Sequence, residues 1–396
     1  MSTKPAYSHR IDSWTALTVF GLVMFGIVMI YSASVIVAYN LFGDDKYFFK
    51  HQIVWAIVGL IGMATTANID YHVWKKWAGA MLVITLILLI SVFLFSKGEI
   101  NGAHRWIVVA GQTFQPSELA KLTFIIYLSA WLVERQKVIN SIKETFIPYV
   151  VVLVAISVLM LKQPDFGTLA IILTSAIAVY VVAGLTWKQA SIGLVALVVA
   201  VAVISISSPY RRDRLLTFLN PAQGANSTSQ SGETTSKSNT YQVDNASIAI
   251  GSGSWTGVGF GQSKQKRRYL PEPQTDSIFA IIGEELGFLW SAALILAYVF
   301  LIYRGYLIAS LSTDLFGRLV AVGITSWFAF QAFVNVGSMV HLVPLVGVPL
   351  PFISYGGTNL LISLLAVGVL LNISRFIKPR EDADTKPSRV SRQTRS

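Results

Sequence analysis

Trp14–Tyr39, WTALTVFGLVMFGIVMIYSASVIVAY, holds 26 residues without one Asp, Glu, Lys or Arg. About 20 apolar residues are enough to cross the hydrocarbon core of a bilayer as a helix. A secretory signal is the competing reading, because Ser32-Ala33-Ser34 resembles a small-residue cleavage site. The apolar core of such a signal is only about 7–15 residues long. This stretch exceeds that and reads as an uncleaved first span.

The rest of the chain agrees. Of 396 residues, 54% are hydrophobic and 13% charged, and the mean hydropathy is +0.59. A soluble domain carries about 25% charge, so a water-soluble fold is excluded. Further apolar runs lie at about Gln52–Ile69, Trp74–Phe95, Leu119–Val133, Phe146–Leu161, Thr168–Leu185, Ala190–Ser207, Ser277–Tyr303, Leu315–Val340 and Leu360–Ile373. The fourth and last are short and need flanking residues. Backbone polar groups must be satisfied internally in lipid, and these runs neither alternate nor stop near ten residues. They are therefore helices, not barrel strands. The expected fold is an all-α polytopic membrane protein of about ten helices.

With the N-terminus inside, seventeen Lys and Arg fall on the inner side and five on the outer, leaving aside one long loop. Positive residues are retained inside, so both termini are expected in the cytoplasm. The organisation follows as a polar start over 1–13, a membrane domain over 14–373 and a basic tail over 374–396. Residues 208–275 form a large extracytoplasmic loop between helices seven and eight. Its Ser/Thr/Asn/Gln-rich middle, 224–240, is expected to be disordered. The net charge of +11 fits anionic membrane lipids and topology control, not nucleic acid. No cysteine is present, which excludes disulfides, iron–sulfur centres and thiolate zinc sites. The five histidines are scattered without an HExxH pairing, which argues against a zinc hydrolase of that type.

Ionisable residues at membrane depth are costly and mark functional sites. Asp276 stands where the long loop meets span eight, as either an N-cap or a catalytic carboxylate. Helical spacing puts Glu284 about 80° from Asp276, able to share its cavity wall, and Glu285 about 180° away, facing another helix. Glu118 and Lys121, at the start of span four, are either a local i,i+3 pair or a buried lysine awaiting an acid or lipid phosphate. The ladder Gly251, Gly253, Gly257, Gly259, Gly261 reads as a flexible loop or as a backbone nest for an anionic headgroup. The Lys264–Arg268 cluster beside it is either a solvated charge run or a funnel for phosphate. Asp165 is accounted for by a Pro/Asp/Gly turn. The irregular stretch from Gly347 to Gly357 is a plausible cavity wall, since non-helical backbone at this depth must line a cavity or be buried in protein.

Taken together, His104-Arg105-Trp106-Ile107, Phe114-Gln115-Pro116-Ser117-Glu118-Leu119-Ala120-Lys121, Gln163-Pro164-Asp165-Phe166-Gly167, Tyr269-Leu270-Pro271-Glu272 to Thr275-Asp276, Glu284-Glu285-Leu286-Gly287 and Pro349-Leu350-Pro351-Phe352-Ile353-Ser354-Tyr355-Gly356-Gly357 resemble, in order, the SEDS family (shape, elongation, division, sporulation). The stretch Gly257–Lys266 is more similar to the division branch, FtsW, than to the elongation branch, RodA. The chain departs from the family pattern at Ser254, Ser277, Trp290, His341, Val346 and Asn359. The resemblance implies a peptidoglycan glycosyltransferase that polymerises lipid II on the outer leaflet of a bacterial plasma membrane, at the division septum. It implies Asp276 as the catalytic carboxylate and a class B penicillin-binding protein as the crosslinking partner, alongside other division proteins. Arg211, Arg212, Lys264, Arg267, Glu118, Lys121, Glu284 and Ser354 are the expected substrate-binding residues. The departing pyrophosphate needs cations, which lysine and arginine or a divalent ion, Mg or Mn, would supply. The competing readings are a lipid II flippase, with polar groups reachable from both sides, and a non-catalytic scaffold for a transpeptidase.

Overall fold

The computed structural model describes residues 11–95, 105–109, 112–193, 195, 234–267 and 270–377. Helices dominate: α1 Ser13–Phe42, α2 Tyr47–Asn68, α3 Tyr71–Phe95, α4 Pro116–Glu134, α5 Ile147–Lys162, α6 Phe166–Gly184, α7 Thr234–Ser252, α8 Ile278–Leu311, α9 Leu315–Met339 and α10 Gly357–Ser374. One short antiparallel hairpin, β1 Ile107–Val109 with β2 Gln112–Phe114, precedes α4. Among the described residues, eight helices are long and apolar enough to cross a membrane. The chain is thus an all-α polytopic membrane protein.

Which helices are central follows from what they bury. About three-quarters or more of the residues of α4, α9 and α10 are buried. By contrast α1, α2 and α3 expose Leu17, Phe20, Val54, Ile57, Ile61, Ile84, Ile87 and Leu94. Such a surface would aggregate in water and is the ordinary face of a helix in lipid. Apolar side chains gain nothing by leaving lipid for each other, so close packing must hold the bundle, and small residues permit it. At the α2–α10 contact a Cβ on Gly368 would lie 1.8 Å from Thr66 Oγ1, and one on Gly59 would lie 2.5 Å from Leu364 Cδ1. Asn372 closes the end of this pair, donating to Ala67 O at 2.9 Å and accepting from Tyr71 N–H at 2.9 Å.

The ends of the described chain meet on one face of the bundle. Asp12 pairs with Arg304, the Asp12 N–H donates to Ser374 Oγ at 3.0 Å, and Ser312 bridges Ile377. The two ends of the described chain therefore share one side.

Several boundaries differ from expectation. The short fourth and tenth runs do recruit flanking residues, starting at Pro116 and Gly357. Helix α8 runs on to Leu311. Most of the seventh run, Ala190–Ser207, lies outside the described residues. Disorder was expected over 224–240, yet 234–240 form the first turns of α7. The physical reason is propagation: Val243, Ala246 and Ala249 of α7 are buried in the core, and a nucleated helix extends cheaply one residue at a time.

Candidate active site

Four chain segments converge at the end of the bundle opposite Asp12 and Ser374. The first is the turn before α8. Thr275 donates from its N–H to Glu272 O at 3.0 Å, and from Oγ1 to Glu272 Oε2 at 3.0 Å. Glu272 itself takes a left-handed φ of 44°, uncommon for a residue with a Cβ. This turn presents Asp276. The N-cap position of α8 falls on Ser277, with no side-chain cap, so the N-cap reading of Asp276 is replaced. Ser277 instead ties the turn to α7, accepting from Gln242 Nε2 at 2.9 Å.

The second segment is the irregular stretch between α9 and α10. Gly347, at φ 66°, lies so near Asp276 that a Cβ there would sit 3.1 Å from Oδ2. Ser354 Oγ accepts from Leu350 N–H at 2.7 Å and donates to Thr275 O at 2.7 Å. Tyr355 N–H donates to Gln274 O at 2.8 Å. Ser354 is 2% exposed and uses its hydroxyl on backbone. In this arrangement it shapes the wall around Asp276.

The third and fourth segments come from the hairpin before α4 and the turn before α6. Arg105 donates from Nε to Gln163 O at 3.1 Å and from its terminal nitrogen to Pro164 O. Asp165 caps α6 through Thr168 N–H at 3.3 Å and accepts from Ser117 Oγ at 2.8 Å and Gln115 Nε2 at 3.2 Å. Gly167 abuts Val348, where a Cβ would lie 2.4 Å from Cγ2.

Asp276 is half-buried. Burial of its carboxyl and the nearby charge of Glu272 push its pKa up to about 7, against the opposing charge of Arg105. Removing a carboxylate from water disfavours its charged form, and a like charge adds to that. A group poised near neutrality both takes and gives a proton.

The other expected residues are distributed differently. Glu284 does not turn toward Asp276. It accepts from Lys264 N–H at 2.8 Å, Gln265 N–H at 3.4 Å and the Ser263 hydroxyl, holding the basic loop from beneath. Glu285 faces α1, as expected of the opposite helix face, accepting from Ser32 Oγ at 2.5 Å and pairing with Lys266 at 2.7 Å. Lys266 is 5% exposed and was missed in the sequence, where its flanking cations disguise it as one of a solvated run. Lys264 and Arg267 are exposed. Arg211 and Arg212 lie outside the described residues.

Glu118 and Lys121 are both buried and pair at 2.7 Å. Lys121 also donates to Gln331 Oε1 at 3.1 Å and stands 4.7 Å from the centre of the Trp327 ring. The local i,i+3 pair is therefore present, its lysine buried and met by an acid, and it forms part of a junction between α4 and α9.

The glycine ladder is neither a flexible loop nor a nest. Inside α8, Gly287 leaves the helical region at φ 77°, and the ladder repairs the break. Val258 and Gly259 N–H donate to Glu284 and Glu285 O at 2.9 and 3.1 Å, while Phe288 and Leu289 N–H donate to Ser254 and Trp255 O at 2.9 and 3.2 Å. A Cβ on Gly257 would lie 2.1 Å from Glu285 O, so the contact requires glycine. Among the described residues no three His, Asp or Glu side chains are grouped to hold a metal ion.

The comparisons with known proteins agree with this geometry. The cell cycle protein family, FtsW/RodA/SpoVE, matches residues 13–379. The chain is 40% identical to the "Probable peptidoglycan glycosyltransferase FtsW" of Trichlorobacter lovleyi over 95% of its own length and 96% of the relative's. It is 39% identical to "Stage V sporulation protein E" of Bacillus subtilis, over 90% and 94%. Among solved structures, a chain from a study of polymerisation and crosslinking by a peptidoglycan synthase complex superposes with a TM-score of 0.75 at 26% identity, covering 92% of this chain and 98% of that one. The rod shape determining protein RodA of Thermus thermophilus superposes at 0.66 with 25% identity, covering 93% and 98%. With a matching profile along almost its whole length and relatives of this similarity, the chain belongs to the FtsW/RodA/SpoVE cell cycle protein family, on its FtsW-like side.

Proposed function

We propose that this chain is a peptidoglycan glycosyltransferase that polymerises lipid II on the outer leaflet during cell division, with Asp276 as general base. The names of its FtsW relatives support the reaction class. The observation that carries the residue assignment is the Asp276 carboxyl, set among four converging segments with a pKa pushed up to about 7.

The reaction balances on these groups. The acceptor GlcNAc 4-hydroxyl gives its proton to Asp276 as its oxygen attacks C1 of the donor MurNAc. The C1–oxygen bond to the diphosphate breaks, the new C1–O4 bond forms, and undecaprenyl pyrophosphate leaves with the electron pair. Attack opposite an α-linked leaving group gives a β-linked product, so configuration inverts. Charge on the departing pyrophosphate calls for cations held close in a low-dielectric setting. Arg105 is near enough to act on Asp276, and Lys264, Arg267, Arg211 and Arg212 are the further candidates on the outer loop. The neighbour solved in a peptidoglycan synthase complex supports a transpeptidase partner, which we take to be a class B penicillin-binding protein, with other division proteins around it.

Glu118, Lys121, Glu284 and Glu285 are each engaged by protein partners, which favours a polymerase over a flippase. The test is labelled lipid II offered to the chain and its class B partner in proteoliposomes. Glycan polymer with β linkages is the expected product. Movement of lipid II across the bilayer without polymer would replace this reading with the flippase.

A further inference from the structure

Asn335 and Gln331 lie one turn apart on α9, and both point their amides at backbone beside Asp276. Asn335 Nδ2 donates to Asp276 O at 2.9 Å and to Val348 O at 2.8 Å. Gln331 Nε2 donates to Pro349 O at 2.7 Å. Its Oε1 accepts from Trp327 Nε1 at 2.6 Å and from Lys121 Nζ at 3.1 Å. Asn335 is 1% exposed and Gln331 0%. The chemistry fixes the Asn335 amide orientation, since turning it over would set its oxygen against two carbonyl oxygens. Residues four apart share a helix face, so α9 presents two amides in register with successive carbonyls, Val348 and Pro349. A short side chain with two N–H donors is what this junction needs. Aspartate has no donor, and leucine of similar volume leaves both buried carbonyls unpaired.

We propose that Asn335, backed by Gln331, is a positioning residue for Asp276: a single amide clamps the backbone of Asp276 to that of Val348 and so sets the carboxylate against Gly347. This rests on the reading of Asp276 as the base. The buried Glu118–Lys121 pair reaches the same place only by way of Gln331, so Lys121 acts at a distance, holding the oxygen of Gln331 while its nitrogen holds Pro349. The substrate contact expected of Lys121 becomes a supporting one.

The consequence is kinetic. Loss of the clamp displaces the base without removing it, and a misplacement of about 1 Å costs on the order of 100-fold in rate. Substrate binding made elsewhere is unaffected, so the loss falls on kcat, not KM. A carboxyl freed from the wall also gains water, which draws its titration back toward that of an ordinary carboxylate. Glu272 and Arg105 are the charges that face it, and both remain in the variants.

The experiment compares complexes of the full chain with its class B partner on labelled lipid II across pH 5–9. The variants are Asn335→Leu, Asn335→Gln, Gln331→Met and Asp276→Asn. For Asn335→Leu, kcat falls at least about 10-fold with KM within about 2-fold, and the acidic limb of the rate profile moves to lower pH. Asn335→Gln, which keeps the donor, recovers part of the rate, and Gln331→Met shows a smaller shift in the same direction. Wild-type kcat and an unmoved limb in Asn335→Leu, per folded complex, overturn the proposal. If that variant yields no complex, the limb of Gln331→Met decides in the same way. Full activity of Asp276→Asn sinks the base reading itself, whereas an inactive Asp276→Asn beside an unaffected Asn335→Leu sinks only the clamp.

Discussion

At the residue scale, Asp276 is held in a state that costs stability. Its pKa is about 7 in the folded chain against 3.8 for a free aspartate. Below pH 4 it is protonated in both states and costs nothing on this account. As pH rises from 4 to 7 the unfolded chain releases this proton and the folded chain keeps it, so the folded state loses stability, fully so above pH 7. Asp276→Asn, neutral at every pH, is therefore expected to be more stable than wild type at pH 8 by on the order of 2–4 kcal/mol, with the gap closing toward pH 4. Thermal unfolding of the detergent-solubilised protein at pH 8 and pH 5 measures this, and an equal gap at both values contradicts it. Position in the sequence made Asp276 a candidate, as a carboxylate at a loop–span junction, but left it open between a helix cap and a catalytic group; the family resemblance supplied the choice. The Gly347–Gly357 wall was legible as irregular backbone at membrane depth, but Asn335 was not, because it reaches Asp276 from 59 residues away and its amide holds backbone carbonyls, which have no sequence signature.

At the scale of elements, the decisive feature is the break at Gly287 and the loop that mends it. Pattern reading found the glycines but not their purpose, since close approach of two backbones depends on tertiary contact. The same loop carries Lys266, locked between Glu285, Ser32 and the Gly261 carbonyl at 2.7, 3.3 and 2.8 Å. Periodicity correctly turned Glu285 away from the outer cavity but misplaced Glu284, because Asp276 precedes the helix rather than continuing it. Removing one partner of a buried pair costs about 3–5 kcal/mol, whereas replacing both by apolar groups is often neutral. Lys266→Met is expected to lower the midpoint of thermal unfolding sharply, and Lys266→Met with Glu285→Leu to recover much of it. Equal losses in the single and double variants would show that Lys266 contributes packing rather than charge.

For the molecule as a whole, hydropathy was enough to give the helical membrane class, because lipid punishes any other arrangement of the backbone, and the distribution of Lys and Arg sets the direction we propose for it. The arrangement of the bundle needed the structure: α4, α9 and α10 are central because of small residues and buried amides, which hydropathy does not weigh. The natural chain has no cysteine, so single introduced cysteines report sidedness cleanly. Thr313→Cys, beside the chain ends at the face that carries Asp12 and Ser374, is expected to react with an impermeant maleimide only from the cytoplasmic side, and Lys264→Cys only from outside. Labelling of both from one side would contradict the topology. The central claim is that this molecule polymerises glycan through Asp276, and its most direct measurement is polymer formed from labelled lipid II by the complex, wild type beside Asp276→Asn at equal yield. The account predicts glycan polymer from wild type, formed more slowly as pH falls below about 7, and none from the variant. Polymer from both, with the same pH dependence, would contradict it.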